Sequence, residues 1–125
     1  MAEGIRAIVE RRRGEQAAAF DLARRYAAAL SVELPLVAAV VFGSHARGDF
    51  NTWSDIDVLV VSHHLPDSTH ERSDMLWRHV SGGVSPIGWT ISELEDARRR
   101  RDPIAVEADA VGVQVAGALP PPCNR

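Results

Sequence analysis

The sequence predicts an α/β (α+β) domain in which a small mixed β-sheet is flanked by helices. Two short runs of valine, leucine and isoleucine, at 36–42 and 55–61, are bounded by turn-forming residues, which is typical of buried strands. Segments with apolar residues at helical spacing lie before and after these runs. The order helix, strand, strand, helix, strand, helix predicts a single domain over residues 1–117 and a disordered tail over 118–125.

The first helix is predicted over 5–30, because apolar residues recur there at helical spacing among many alanines. Gly14, directly after three arginines, is expected to break this helix into two pieces. The first strand is "LVAAVVF" at 36–42, and residues 43–54 form a loop with at most one helical turn. The second strand, "DIDVLVV" at 55–61, leads into a loop that is rich in turn formers.

A second long helix is predicted over 70–80 and ends at the glycines of "SGG", which accept the left-handed geometry of a helix C-terminus. The third strand is predicted over 84–91. It contains Pro86 and Gly88, which suit an edge strand better than a central one.

Two further helices and a last strand complete the predicted domain. Ser92 and Glu95 form an expected capping box, which opens a helix that runs through Arg101. Pro103 then starts a short helical stretch. The segment "VGVQVAG" at 111–117 alternates apolar and polar residues like a small strand.

Composition narrows the functional class. Apolar residues make up 46% and charged residues 25% of the 125 residues, as in ordinary globular domains. The net charge of -3 disfavours a general nucleic-acid binder, so no direct nucleic-acid binding is expected. All 14 basic residues are arginine, which excludes schemes that need a lysine, such as a Walker-type phosphate site or a Schiff base.

The cellular compartment is predicted from what the sequence contains. No apolar run approaches the roughly 20 residues that cross a bilayer, and the charged segment "MAEGIRAIVERRRGEQ" does not resemble a secretory signal. Cys123 is the only cysteine, so no internal disulfide is expected. We therefore expect a cytoplasmic protein without a membrane partner.

Two aspartates at the start of a hydrophobic strand are the most informative feature. Asp55 and Asp57 are two residues apart, so on a strand they project from one face about 6.5–7 Å apart. Two such carboxylates repel each other unless a cation lies between them, and Mg²⁺ commonly binds one or two carboxylates together with substrate phosphates. The alternative is that both aspartates only cap the start of a strand.

The loop before these aspartates has the composition of a phosphate-binding loop. Gly43 allows the backbone to approach a ligand closely, and a helical turn beginning at Ser44 would direct N–H groups at an anion. Arg47 adds a positive charge. The segment "GSHARG" has the glycine spacing of a P-loop, but Asp49 stands where that motif has lysine, so a Walker site is excluded. The alternative is a simple connection between strands.

The segment "FGSHARGDFNTWSDIDVLVV" resembles the signature of the DNA polymerase β-like nucleotidyltransferase superfamily, a Gly-Ser pair followed by Asp-x-Asp. It is most similar to the minimal nucleotidyltransferases, and the resemblance covers most of residues 20–117. It implies a nucleotidyltransferase fold, ATP or another nucleoside triphosphate as donor, Mg²⁺ as cofactor, and transfer of a nucleoside monophosphate to a hydroxyl group. In these roles Asp55 and Asp57 hold the metal, and the nucleotide-binding residues are Gly43, Ser44, Arg47 and Ser54.

The resemblance also implies a partner. Minimal nucleotidyltransferases are frequently paired with a helical HEPN protein in toxin–antitoxin modules, where they act as the antitoxin and in some systems add AMP to the toxin. Because the chain is small, a partner or a homodimer is expected to help form the acceptor site. Two alternatives remain: a catalytically weak or inactive nucleotide-binding protein that regulates a partner by contact, and a small-molecule transferase resembling those that modify aminoglycosides.

One expected feature of the family is missing from the sequence. The family usually supplies a third carboxylate from the next strand, and the corresponding position falls near Ser85, with no acid between Val80 and Ser92. Serine cannot replace a carboxylate as a base or as an anionic ligand. Either the strand register differs, or catalysis is impaired, or another acid reaches the site; the acids available are Glu93, Asp74 and Asp49.

Overall fold

A mixed four-stranded sheet with helices on both faces forms the protein. The structure, a computed structural model, describes residues 2–122. The elements in chain order are α1 (Ala2–Leu30), β1 (Ala38–Phe42), α2 (Ser44–Arg47), β2 (Ile56–Val61), α3 (Thr69–Arg78), β3 (Val84–Trp89), α4 (Ile91–Arg99), α5 (Pro103–Val111) and β4 (Val113–Gly117). The strand order is β3-β2-β1-β4, and only β2 and β3 pair in parallel. The predicted α+β class is confirmed.

The central strands are hydrophobic throughout because both faces of the sheet are covered. On one face, Val41, Val58 and Val60 pack against α1 and α3. On the other face, Val40 and Leu59 pack with residues of α4 and α5. Alternate residues of one strand thus enter two different cores, which explains the near-continuous apolar runs in the sequence.

Helix α1 is continuous, so the predicted break at Gly14 is wrong. Gly14 is exposed, and a Cβ at this position would have no neighbour within 4 Å. A glycine inside an exposed helix costs only about 1 kcal/mol relative to alanine. The alanine-rich sequence that follows, together with the packing of its buried face, outweighs that cost.

The third strand lies at an edge of the sheet, as predicted from Pro86 and Gly88. The following helix, however, begins two residues earlier than predicted. Thr90 is the N-cap, and its capping-box partner is Glu93, whose carboxylate accepts from the Thr90 amide at 2.8 Å. The pair of Ser92 and Glu95 has the same spacing, but β3 ends at Trp89 and the helix starts directly after it.

The chain after β4 has no regular secondary structure up to residue 122. Leu119 nevertheless packs against the core on the α4 and α5 face, and its amide donates to the side-chain oxygen of Gln114 at 2.8 Å. The remainder of the predicted tail, including Cys123, lies outside the described residues. No helix within residues 2–122 has the length and apolar character needed to cross a membrane.

Candidate active site

The two aspartates lie where β1 ends and β2 begins. These strands are antiparallel, so Phe42 at the end of β1 pairs with Asp57 near the start of β2. Asp57 is half-buried, and Asp55 is exposed in the residues just before the strand. The sheet therefore brings the loop that follows β1 directly against the predicted pair of metal ligands.

The backbone conformation at Gly43 allows the loop after β1 to lie directly against Asp57. Its φ of 76° and ψ of -156° lie in a region that is essentially restricted to glycine. A Cβ at Gly43 would also overlap the Asp57 carboxylate oxygen Oδ2. Only glycine thus satisfies both the backbone turn and the contact with Asp57.

Helix α2 is the single helical turn that the sequence allowed between the strands. Ser44 is its first residue, and Gly48 ends the turn with a φ of 91°, where its amide donates to the Ser44 carbonyl at 2.8 Å. The first N–H groups of a helix have no acceptor within that helix, so those of α2 are free to donate to a ligand. The Ser44 hydroxyl makes no hydrogen bond with any other residue in the described part of the chain.

The electrostatics at Asp57 favour a bound cation. Partial burial, followed by repulsion from Asp55, raises the pKa of the Asp57 carboxyl group, while His45 and Arg47 partly oppose this rise. Within residues 2–122, neither aspartate side chain has an ion-pair partner. These two carboxylates fit a hard divalent ion such as Mg²⁺, which completes its coordination with substrate phosphates and water.

His45 is a buried residue that stabilises the segment carrying Asp55. The side chain is buried, with 7% exposure, and its Nδ1 lies 3.1 Å from the carbonyl oxygen of Asp55. The imidazole also stacks on Phe50 with ring centroids 4.5 Å apart. His45 therefore fixes the backbone position from which Asp55 projects.

Helix α1 holds the same loop through two polar side chains. Gln16 donates to the His45 carbonyl oxygen at 2.7 Å. The Arg12 guanidinium donates to the carbonyl oxygens of Gly48 and Phe50 and lies 4.6 Å from the centroid of the Phe50 ring. Sequence patterns did not identify these contacts, because they join residues at least 29 positions apart.

Arg47 lies at the margin of the site. Its guanidinium pairs with Asp49 at 3.1 Å and with Glu107 of α5. Its charge still acts on Asp57, whose pKa it lowers. A phosphate at the N-terminus of α2 would compete with Asp49 and Glu107 for the guanidinium of Arg47. No sequence pattern indicates that Glu107 lies beside Arg47.

Ser54 belongs to a hydrogen-bonded turn that carries Trp53. The Ser54 hydroxyl accepts from the Asn51 amide at 3.0 Å, and the Asn51 side-chain oxygen accepts from the Trp53 amide at 2.8 Å. The Ser54 amide donates to the Asn51 carbonyl at 3.1 Å. These bonds fix the backbone at Trp53, which is 90% exposed.

A cavity of about 420 Å³ lies beside Asp55, between α1 and the sheet. We call it the α1 cavity. Its walls are residues of α1, the segment 52–56 with His45 beneath it, and the glycine turn before β3. Trp53 and Asp55 both line this cavity, so it adjoins one of the two predicted metal ligands. The α1 residues of the wall are separated from residues 52–56 by at least 30 positions, so no sequence pattern connects them.

The position expected for a third carboxylate is occupied by Ser85. In the parallel pairing of β2 and β3, Ser85 lies directly opposite Asp57, so the register inferred from the sequence is correct. The other acids considered are engaged elsewhere: Glu93 with Arg72, Asp74 with His70, and Asp49 with Arg47. Within the described residues, no group of three or more His, Cys, Asp or Glu side chains could hold a metal ion.

Comparison with known proteins identifies the family of this chain. The sequence matches the nucleotidyltransferase domain family over residues 23–109, which include the glycine loop and both aspartates but not the α1 residues that contact this loop or line the cavity. No curated protein matches the chain significantly. A crystal structure of a candidate nucleotidyltransferase from Sulfolobus solfataricus, 26% identical, covers 82% of this chain and 84% of its own with a TM-score of 0.62. The chain therefore belongs to the nucleotidyltransferase domain family, as a minimal nucleotidyltransferase of the DNA polymerase β-like superfamily.

Proposed function

We propose that the protein transfers AMP from ATP to a hydroxyl group, with Mg²⁺ held by Asp55 and Asp57. The observation that carries this proposal is the contact between Gly43 and the Asp57 carboxylate. Because of it, the start of α2 lies directly beside the Asp57 carboxylate, two residues from Asp55. A metal-bound triphosphate needs both kinds of group at once: N–H donors for its phosphate oxygens and oxygen ligands for its metal.

In this scheme the backbone of Gly43 and the amide and hydroxyl of Ser44 bind the outer phosphates. Asp55 and Asp57 would hold the metal, which would supply charge neutralisation at the phosphate oxygens. The acceptor oxygen forms a bond to the α-phosphorus, while the bond from that phosphorus to the bridging oxygen breaks. Pyrophosphate leaves with the electron pair, and the acceptor proton passes to water, since Ser85 offers no carboxylate beside Asp57.

We further propose that the acceptor hydroxyl belongs to a helical protein partner of the HEPN type, which the chain controls as the antitoxin of a toxin–antitoxin pair in the cytoplasm. The support is the resemblance to minimal nucleotidyltransferases and the small size of the domain. The described chain has no separate acceptor-binding domain beyond the sheet and its helices. A partner or a second copy of the chain would complete the acceptor site.

A second candidate function is supported by Ser85. If two carboxylates bind the metal–nucleotide complex but do not activate an acceptor, the protein is a nucleotide-binding regulator that acts on its partner by contact. The neutral side chain opposite Asp57 favours this alternative, because a base near the acceptor oxygen commonly contributes about 10²–10⁴-fold to such a reaction.

One experiment separates the two functions. The protein, co-purified with the product of the neighbouring gene, is incubated with ATP labelled at the α-phosphate and with Mg²⁺, alongside Asp57→Asn. Label that appears on the partner with the wild type and not with the variant supports the transferase. If the complex forms and binds ATP but no label is transferred, the contact regulator is the correct function.

A further inference from the structure

The α1 cavity lies apart from Gly43 and Ser44, which bind the triphosphate in the proposed function; of the expected nucleotide-binding residues, only Ser54 lines it. The phosphate-binding amides and Gly43 lie against Asp57, whereas the cavity opens beside Asp55 and extends toward α1. Its α1 wall is made by the small or apolar side chains of Ala18, Ala19 and Leu22. A group that enters this cavity would therefore lie next to Asp55 but away from the outer phosphates.

Two carboxylates and one buried histidine line the cavity wall. Among the described residues the carboxylates are Glu15 and Asp55, the histidine is His45, and no arginine lines the cavity. In the described part of the chain, neither carboxylate takes part in an ion pair. When Asp55 binds a metal its charge is neutralised, so Glu15 remains as the carboxylate that faces a ligand. The cavity therefore disfavours a phosphate or carboxylate and favours a cation.

Trp53 adds a second feature that favours a cation. The turn from Asn51 to Ser54 fixes its backbone by hydrogen bonds, and the indole stands at the cavity wall with 90% of its surface exposed. Exposing a tryptophan costs hydrophobic free energy unless a ligand covers it. The face of an indole attracts ammonium and guanidinium groups more strongly than other aromatic rings do.

We propose that the α1 cavity binds a cationic group of the acceptor, an ammonium or guanidinium on a short apolar stem, and that Glu15 determines this specificity. The inference rests on the proposed function, because it places the acceptor hydroxyl beside Asp55 while its cationic group lies between Glu15 and Trp53. The same chemistry is offered by a small amino alcohol and by a protein segment with arginine or lysine next to a hydroxyl residue.

Three phenols of similar size and different charge test the specificity. Tyramine is cationic, 4-ethylphenol is neutral and 4-hydroxyphenylacetate is anionic. Each is titrated into the ¹⁵N-labelled protein in the presence of Mg²⁺ and α,β-methylene-ATP, whose α–β bridge cannot be cleaved. The readout is the indole N–H signal of Trp53, assigned with Trp53→Phe. We expect tyramine to bind about tenfold more tightly than 4-hydroxyphenylacetate, because the exposed Glu15 carboxylate attracts the cation and repels the anion.

Two variants assign the selectivity to one carboxylate. Glu15→Gln removes the charge at the cavity and should bring the affinities for the cation and the anion within about twofold of each other. Glu10→Gln is the matched control: it removes an exposed acid from the same helix outside the cavity and should leave the tenfold ratio unchanged. Equal affinities in the wild type, or a ratio that persists in Glu15→Gln, would overturn the proposal.

Peptides distinguish the source of the cation. Acetyl-Gly-Ser-Arg-Gly-amide and acetyl-Gly-Ser-Glu-Gly-amide carry the same hydroxyl beside opposite charges. A preference for the arginine peptide over both the glutamate peptide and tyramine assigns the cavity to a protein acceptor, and a preference for tyramine assigns it to a small amine.

Failure of the inference and failure of the proposed function give different spectra. The amide signals of Gly43 and Ser44 report nucleotide binding independently of Trp53. If they respond to α,β-methylene-ATP while Trp53 responds to none of the phenols or peptides, only the cavity assignment is overturned. If tyramine binds at Trp53 but the nucleotide does not bind, the acceptor role of the cavity is overturned together with the proposed function.

Discussion

Ser85 lies directly opposite Asp57 where β3 pairs in parallel with β2. The neighbouring strand therefore places an uncharged hydroxyl at the β3 position that pairs with the half-buried carboxylate. The site consequently has two carboxylates and one serine across two adjacent strands. A single substitution at Ser85 can therefore test whether Mg²⁺ binds beside Asp57.

Ser85→Asp should create a three-carboxylate site. Without metal, the new charge opposite Asp57 should lower the free energy of unfolding by about 1 kcal/mol, as like charges do when directly paired across strands. With Mg²⁺, the loss should be reversed and the Mg²⁺ concentration needed for half-maximal stabilisation should fall. Thermal unfolding with and without Mg²⁺ measures both effects. Ser85→Asn is the isosteric control, and an equal response in both variants would contradict a metal site at this position.

Asp57→Asn should raise the free energy of unfolding without metal but lower the rate of nucleotidyl transfer. Because burial and Asp55 raise the pKa of Asp57, its charged form destabilises the folded protein, so the variant should be more stable than the wild type at pH 7 without metal. This difference should vanish as the pH falls through the pKa of Asp57, where the wild-type carboxyl group is also neutral. Nucleotidyl transfer should fall by more than about a hundredfold, because metal stabilisation of the reaction contributes several kcal/mol. Loss of stability at pH 7 would contradict this account.

Gly43→Ala should destabilise the protein and abolish nucleotide binding. The backbone conformation at Gly43 costs other residues about 1–3 kcal/mol, and the new Cβ would overlap Asp57 as well. Gly14→Ala is the matched control, since its Cβ would have no neighbour and helical alanine should add about 0.5–1 kcal/mol. Urea unfolding of the two variants checks the signs. A Gly43→Ala variant as stable as the wild type would show that the contact with Asp57 is not tight.

Glu93 should make stability depend on pH in the acid range. Partial burial alone would raise its pKa, but the Thr90 amide and the Arg72 guanidinium hold the pKa of Glu93 below its ordinary value of 4.5. Its ionised form therefore stabilises the folded protein above that value, and the contribution is lost as the pH falls through the lowered pKa. Glu93→Gln keeps the hydrogen-bonding shape of the capping box but removes the charge.

The expected result for Glu93→Gln is lower stability than the wild type at pH 7 and equal stability near pH 2. Chemical unfolding measured across this range gives the difference directly. Glu95→Gln, on the exposed face of the same helix, should show little difference at either pH. A Glu93→Gln effect that stays constant with pH would mean that the charge is not involved.

The candidate site could be predicted from the sequence because its central residues are local in the chain. Gly43, Ser44, Asp55 and Asp57 lie within 15 consecutive residues, and the strand pattern alone brings both ends of this segment together. The position of Ser85 also followed from strand spacing. The edge location of β3 followed from a proline, which cannot donate to a strand on each side.

The supporting contacts could not be predicted, because they depend on packing between distant segments. Glu107 reaches Arg47 across 60 residues, and Arg12 reaches the carbonyl of Phe50 across 38. No spacing rule connects such pairs. The two errors had a different cause, because in each case two local sequence features pointed to different structures. At Gly14 the packing of α1 kept the helix continuous, and at α4 the end of β3 selected Thr90 over Ser92 as the N-cap.

The most direct test of the central claim is to locate a paramagnetic metal. Mn²⁺ replaces Mg²⁺ in the presence of α,β-methylene-ATP, and amide signals of the ¹⁵N-labelled protein are measured as the metal is added. The account predicts selective broadening at Gly43, Ser44, Asp55 and Asp57, dependent on the nucleotide and lost in the double variant of Asp55→Asn and Asp57→Asn. Broadening centred elsewhere, or unchanged in that variant, would contradict a metal–triphosphate site between α2 and the aspartate pair.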